Sequence, residues 1–172
     1  FGHKDVVQLL LDHSDRIELN ARRINGWTAF MIACFYGHKD VVKLLLDHSN
    51  SNIDLNVRSN SGWYAFERNA RRINEWTAFM IACYEGHKDV VQLLLNHSER
   101  IELNVKANDG STAFMQACIS GRKDVVQLLL DHSERIEPNV RCNSGCNAFA
   151  YACYEGHKDV IKLLLDHSER ID

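Results

Sequence analysis

Nowhere in its 172 residues does this chain carry the roughly 18 consecutive apolar side chains that a membrane-crossing helix needs, so insertion into a bilayer is not expected. Positive charge is not in excess either. Twenty Lys and Arg stand against 23 Asp and Glu, a formal charge of −3, and no basic stripe is present to collect phosphates, so nucleic acid is not expected as a partner. A glycine-rich phosphate loop, a nucleophile elbow and an H-E-x-x-H pair are all missing. The acidic residues that recur, such as Asp40 and Asp131, do so because a block of sequence is copied, and a catalytic group has no reason to appear in every block. The expectation is no enzymatic activity and no cofactor. No targeting peptide is visible, and 45% hydrophobic with 25% charged residues is the composition of a folded, soluble chain.

What the chain does have is repetition. FMIACFYGHKDVVKLLLDHS at 30–49 returns as FMIACYEGHKDVVQLLLNHS at 79–98, FMQACISGRKDVVQLLLDHS at 114–133 and FAYACYEGHKDVIKLLLDHS at 149–168; GHKDVVQLLLDHS at 2–14 is a half-copy. Gly2 and Gly37 lie 35 residues apart, as do Gly86, Gly121 and Gly156. A fixed period of this size marks stacked supersecondary units. Neither terminus carries a polar cap, so the chain reads as a piece of a longer array.

Within a unit, Val41, Val42, Leu45 and Leu46 fall at i, i+1, i+4 and i+5, a wide stripe on a helix rather than the alternation of a strand. Asp40 sits in the first turn of that helix, where its charge meets the positive end of the helix dipole. Ahead of it, Thr28-Ala29-Phe30-Met31-Ile32-Ala33-Cys34 opens with a capping hydroxyl and continues with small residues that permit close helix approach. Thr77, Thr112 and Asn147 repeat the cap. Polar stretches such as Arg23-Ile24-Asn25-Gly26 and Ala107-Asn108-Asp109-Gly110 suit tight turns. The unit is therefore an inner helix, a longer outer helix and a hairpin.

On these residues the chain resembles the ankyrin-repeat family, whose unit opens T-P-L-H-x-A. The matching start here is Thr28-Ala29-Phe30-Met31-Ile32-Ala33, and the family's G-H-x-x-[IV]-V-x-x-L-L stretch appears as Gly37 to Leu46. The resemblance implies an all-α, ankyrin-type α-solenoid of stacked helix pairs joined by short β-hairpin turns. It also implies binding of a protein partner on the concave face, made by the hairpin tips and the inner helices. Ala29 and Met31 stand where the family usually has Pro and His, which removes a side chain that ties neighbouring hairpins together. After the outer helix, His-Ser-Glu-Arg-Ile-Glu-Leu, as at 97–103, replaces the family's Gly-Ala, and Ile101 is expected to tuck inward.

The spacing divides the chain into an outer half-repeat (1–19), a repeat (20–55), a remnant hairpin or loop insertion (56–68) and three further repeats (69–103, 104–138, 139–172). The irregular step, Gly37 to Gly86, is 49 residues. Asn69 to Thr77 nearly copies Asn20 to Thr28, so the unit of Thr77 is expected to stack directly on that of Thr28. Residues 56–72 would then leave the stack as a loop, with a helical turn at 64–70. That loop is either a tolerated recombination scar or a recognition element carrying Trp63, Tyr64 and Phe66.

His3, His38, His87 and His157 share one slot of the unit, and His13, His48, His97, His132 and His167 another. Copies one repeat apart lie on the order of 10 Å from each other, too far to share a zinc ion with bonds near ~2.1 Å. Structural hydrogen bonding is expected instead, and no metal. Cys34, Cys83, Cys118 and Cys153 occupy one slot beside an alanine, as small core residues rather than a disulfide framework, which indicates a reducing, intracellular and cytoplasmic setting. Cys142 and Cys146 lie in a hairpin with no second pair in reach.

Recognition is then a matter of surface. The frame is constant, but the slot after the turn glycine holds Trp27, Trp63, Trp76, Ser111 and Cys146. The pair before the helix-end glycine holds Phe35-Tyr36, Tyr84-Glu85, Ile119-Ser120 and Tyr154-Glu155, and the slot of Ile32 changes to Ile81, Gln116 and Tyr151. Candidate partner-binding residues are Arg23, Ile24, Trp27, Phe35, Tyr36, Trp63, Tyr64, Ile73, Trp76, Tyr84, Glu85, Asn108, Ser111, Tyr151 and Tyr154. Arg22, Arg23, Arg71 and Arg72 flank the ring-rich part, which suits a partner with apolar anchors and some acidic groups. The alternative for these rings is packing against the next hairpin. The alternative function is a structural spacer or scaffold segment with no dedicated partner. Val42, Leu45, Leu46, Val91, Leu94 and Leu95 are expected in the core.

Overall fold

A computed structural model describes residues 2–48, 53–60, 62–63, 72–73 and 75–170, with main chain alone at 62–63 and 72–73. Among these residues helices predominate: α1 (Lys4–Leu11), α2 (Ala29–Phe35), α3 (Lys39–Asp47), α4 (Ala78–Glu85), α5 (Lys88–Asn96), α6 (Ala113–Ile119), α7 (Lys123–Asp131), α8 (Ala148–Tyr154) and α9 (Lys158–Asp166). The one sheet among them is a two-stranded antiparallel ribbon, β1 (Gly62–Trp63) against β2 (Arg72–Ile73).

The inner helices start where their caps dictate. Thr28 Oγ1 accepts from Met31 N at 3.3 Å, Thr77 and Thr112 do the same for Met80 and Met115, and Asn147 Oδ1 accepts from Ala150 N at 2.9 Å. Each satisfies a donor the helix leaves open. Inner helices α2, α4, α6 and α8 pack side by side in one row, and outer helices α1, α3, α5, α7 and α9 form a second. The apolar stripe of the outer helices closes on the inner row: Val42, Leu45, Leu46, Val91, Leu94 and Leu95 are all buried, as is Ile101 in the connector. Leu94 is among the largest side chains with essentially no exposure, so Leu94→Ala would cost roughly 2–5 kcal/mol.

Hydrogen bonds, as well as apolar contacts, join one unit to the next. His87 donates from Nε2 to the Phe35 carbonyl at 2.8 Å, and His157 to that of Ile119 at 2.8 Å. In the same slot Arg122 donates from Nε to the Tyr84 carbonyl at 2.9 Å. The glycine that ends each inner helix makes this possible. Gly37 and Gly121 both have φ +68, and a Cβ on either would lie 2.5 and 2.6 Å from Nδ1 of His87 and His157, so the missing side chain is the seat of the next unit's ring. The second histidine slot works within the unit. Nδ1 of His97, His132 and His167 lies 2.9 Å from the carbonyl four residues earlier, at the open end of the outer helix.

The hairpins are tied despite the missing family histidine. Asn60 N donates to Asn25 O and its Nδ2 to Ile24 O; Asn143 repeats both contacts on Asp109 and Asn108. A second asparagine ladder runs below. Asn20 Oδ1 accepts from Asp54 N, Asn56 Oδ1 from Glu102 N, and Asn104 Oδ1 from Glu137 N, at 2.9–3.0 Å.

The irregular step is only partly as expected. The unit of Thr77 does pack on that of Thr28, α4 against α2 and α5 against α3. Residues 56–60, however, do not leave the stack. Ser59 is buried and its N–H donates to the Trp76 carbonyl, the bond made by Arg23 to Trp27, Ala107 to Ser111 and Cys142 to Cys146. One hairpin therefore takes its first arm from 57–60 and its return arm from Glu75 and Trp76. Its arms are 17 positions apart, not four. The expected boundary at 68/69 lies outside the described residues. β1 and β2 continue the two arms outward. The helical turn expected at 64–70 lies outside the described residues.

Candidate functional site

The return arms bring the slot after each turn glycine back onto the inner helix of the same unit. That placement corrects the expectation for the tryptophans. Trp27 and Trp76 are 2% and 4% exposed, so neither is open to a partner. Trp27 meets Phe35 edge-on with ring centroids 5.3 Å apart, and Trp76 meets Tyr84 in the same way at 5.2 Å. The physical reason is area: an indole at the hairpin base has the helix C-terminus within reach, and covering both rings removes more apolar surface from water than leaving them on the rim. Phe35 and Ser111 are likewise buried.

Other predicted residues stand out in solvent. Ile24, at the tip of the first hairpin, is wholly exposed; Tyr36 and Tyr154 are exposed, as are Arg23 and Asn108. Tyr84, Glu85 and Tyr151 are half-buried. Tyr36 packs edge-on against Phe35 at 4.9 Å and stacks on the His38 ring at 5.8 Å, which holds it at the end of α2. Trp63 and Ile73 contribute their main chain to the ribbon. Tyr64, Phe66 and Arg71 lie outside the described residues. Arg22 is committed to the frame, donating to Gly26 O, Arg58 O and Asn60 Oδ1, and Arg58 in turn donates to Lys106 O.

The fourth unit replaces rings with polar groups, and the replacement is internally satisfied. Gln116, buried in the slot of Ile32, donates from Nε2 to Ser111 Oγ at 2.7 Å, and Ser111 donates to Asp109 Oδ1 from both its hydroxyl and its N–H. In the fifth unit, Tyr151 O–H donates to Cys142 Sγ at 3.3 Å, with Ser144 Oγ 3.0 Å from the same sulfur. Burial alone would raise the Cys142 thiol; the hydrogen bonds from Ser144 and Tyr151, with those from the Ser144 and Cys146 main chain, outweigh it and lower the thiol from its ordinary value. Tyr151, donating to that sulfur, is pushed up to about 12.

All six cysteines are free. Cys34, Cys83 and Cys118 are buried, and burial pushes their thiols up. Cys153, expected in the core with them, is exposed; among the described residues α8 packs against one inner helix, α6. Among the described residues no three His, Cys, Asp or Glu side chains converge as a metal set, and no helix is long and apolar enough to cross a membrane.

The rim of tips and helix ends is thus built on a frame that recurs from unit to unit, and the family described as Ankyrin repeats (3 copies) matches residues 1–59, 61–142 and 99–172. The chain belongs to the ankyrin-repeat family. No curated protein matches it. Ankyrin repeats generally serve as protein–protein interaction modules and are typically non-enzymatic.

Sequence reasoning missed the asparagine ladder through Asn20, Asn56 and Asn104. Its signal was present: a Leu-Asn pair closes the connector at 19–20, 55–56 and 103–104. Only the side-by-side stacking shows that each asparagine reaches the next unit.

Proposed function

We propose that this ankyrin array binds a protein partner along the rim formed by Arg23, Ile24, Tyr36, Tyr84, Glu85, Asn108, Tyr151 and Tyr154. Trp27, Phe35 and Trp76 stiffen that rim from beneath, and Ser111 orders the turn of Asp109. One observation carries the reading: Ile24, Tyr36 and Tyr154 are open to water, while the recurring inner-helix positions of Phe30, Met31, Ala33 and Cys34 are buried. Large side chains held on a rigid support are the material of interface hot spots. Free thiols, four of them buried in the core, fit a reducing intracellular compartment.

The test is affinity capture from a cell extract with the wild-type chain, a triple variant Ile24→Ala/Tyr36→Ala/Tyr154→Ala, and an outer-helix control Gln92→Ala. A protein held by the wild type and the control but lost by the triple variant, at unchanged melting temperature, supports the reading. Equal capture by all three chains would overturn it. The spacer reading is favoured by the continuous asparagine ladder, which gives the stack stiffness independent of any partner, and it requires that no saturable partner be found.

A further inference from the structure

The hairpin of the fifth unit carries a pair of thiols that the other copies lack. In the slot of Cys142 stand Arg23, Ser59 and Ala107, and in that of Cys146 stand Trp27, Trp76 and Ser111. The turn sets the two cysteines opposite each other. Cys142 N donates to Cys146 O and Gly145 N to Cys142 O, both at 2.9 Å, with Gly145 at φ +82. A hydrogen-bonded pair of this kind holds its Cα atoms about 5.5 Å apart, inside the roughly 4.4–6.8 Å that a disulfide spans. The inner helix shows that both side chains share a face. Gln116 reaches Ser111 Oγ in the fourth unit, while Tyr151, in the slot of Gln116, reaches Cys142 Sγ in the fifth. One helix position thus touches both hairpin positions. The main-chain N–H of Cys146 also donates to the Cys142 sulfur, which brings that sulfur to the residue that carries the second thiol.

We propose that Cys142 and Cys146 form a reversible redox pair, which a peroxide oxidises to a disulfide that closes this hairpin. Cys142 is the attacking group. Its sulfur accepts from Tyr151 O–H at 3.3 Å and lies 3.0 Å from Ser144 Oγ, contacts that favour the thiolate, the nucleophilic form. Burial keeps Cys34, Cys83 and Cys118 as thiols, and at one repeat apart, on the order of 10 Å, they do not pair. Cys142 is buried, but the turn from Asn143 to Gly145 is exposed, as are Asn108 and Asp109 at the neighbouring tip, so a molecule as small as peroxide enters through the rim. The pair lies within one hairpin and does not depend on what covers the outer side of the unit. In the first step the Cys142 thiolate attacks one peroxide oxygen and the O–O bond breaks. The departing hydroxide takes up the proton that the thiol gave up and leaves as water, and Cys142 is a sulfenic acid. The Cys146 thiolate then attacks that sulfur, the S–O bond breaks, and the second hydroxide leaves as water with the Cys146 proton. Two thiols are oxidised to one disulfide and one peroxide is reduced to two waters; a small-molecule thiol reverses the change. Oxidation also removes the thiolate that holds the Tyr151 hydroxyl, freeing a phenol at the rim.

The test treats the full chain with hydrogen peroxide, alkylates the remaining thiols under denaturing conditions and maps tryptic peptides by mass. A Cys153→Ser background leaves the peptide 142–158 with the two hairpin thiols alone. That peptide should lose two hydrogens and regain them with dithiothreitol, while Cys34, Cys83 and Cys118 stay alkylated. Cys146→Ser should stop the reaction at the sulfenic acid, which dimedone labels on Cys142. Tyr151→Phe should slow the first step by about twofold to tenfold, the equivalent of one hydrogen bond. Serine already stands in the Cys146 slot at Ser111, so Cys146→Ser is expected to fold, and a melting curve checks each variant. The proposal is overturned by an unchanged mass for the peptide 142–158, by dimedone labelling of the core cysteines as fast as that of Cys142, or by a rate that Tyr151→Phe does not move. A disulfide that forms between two chains instead of within the hairpin overturns it as well. The readout is chemical and stands whether or not the rim binds a partner.

Discussion

The joint between Gly121 and His157 can be measured against a control one unit away. Gly121→Ala forces an L-residue to hold φ +68, and Gly156→Ala does the same at φ +75. The left-handed conformation costs about 1–2 kcal/mol, offset by about 0.4–1 kcal/mol from a stiffer unfolded chain. The two substitutions differ in what the new carbon meets. At Gly156 nothing lies within 4 Å, whereas at Gly121 the carbon would be 2.6 Å from Nδ1 and 2.8 Å from Cε1 of His157. The imidazole must swing away, and the 2.8 Å bond from Nε2 to Ile119 O goes with it. Such a bond contributes about 0.5–1.5 kcal/mol. Gly121→Ala should therefore cost about 1 kcal/mol more than Gly156→Ala. In a His157→Ala background, where ring and bond are already gone, that excess should vanish. Urea unfolding followed by far-ultraviolet circular dichroism gives all the free energies, and the double-mutant cycle isolates the coupling from the backbone cost. Equal costs at the two glycines, or a Gly121→Ala cost unaltered by His157→Ala, would refute the socket.

Three further outcomes are expected. Trp27→Ala and Trp76→Ala should each destabilise by about 3–5 kcal/mol, while Ile24→Ala stays within about 0.5 kcal/mol; thermal melts that rank them otherwise would put the tryptophans back on the surface. Glu75 holds φ 59 in the slot where Gly26, Gly110 and Gly145 have φ 79–82, so Glu75→Gly should raise the urea midpoint by the equivalent of about 0.5–1 kcal/mol, its exposed contact to Arg58 contributing little. For Cys34, Cys83 and Cys118 burial lifts the folded thiols above their unfolded value of about 8.5. Above that pH the unfolded chain loses protons the folded chain keeps, so stability is full below about pH 8.5 and falls as pH rises toward the folded values. Each thiol contributes a slope of about 1.4 kcal/mol per pH unit, and Cys83→Ala should flatten the slope measured between about pH 9 and 10, below the range in which Tyr151 contributes, by roughly a third under reducing conditions.

Helices, caps and core were legible because they recur. Thr28, Thr77, Thr112 and Asn147 announce helix starts, and Val42, Leu45 and their copies mark the buried stripe, since a stripe on one side of a helix has only one way to avoid water. The candidate site was less legible. Trp27, Trp76 and Ser111, like Tyr154, occupy slots that vary between units, and variability does not distinguish a side chain that varies because it faces a partner from one that varies together with its packing neighbour. Ser111 with Gln116 shows the second case: the indole and aliphatic pair of earlier units became a hydrogen-bonded polar pair, changing two slots at once.

By itself the sequence determined the unit: where each helix starts, which stripe it buries, and that copies stack. Those are local consequences of capping groups and of a 3.6-residue period, and they need no knowledge of distant residues. Only the tertiary structure decided how Ser59 finds Trp76 across 17 positions, which rings lie beneath the rim, and which glycine seats which histidine. Each of those depends on contacts between units, where the free energy belongs to pairs of residues far apart in the chain.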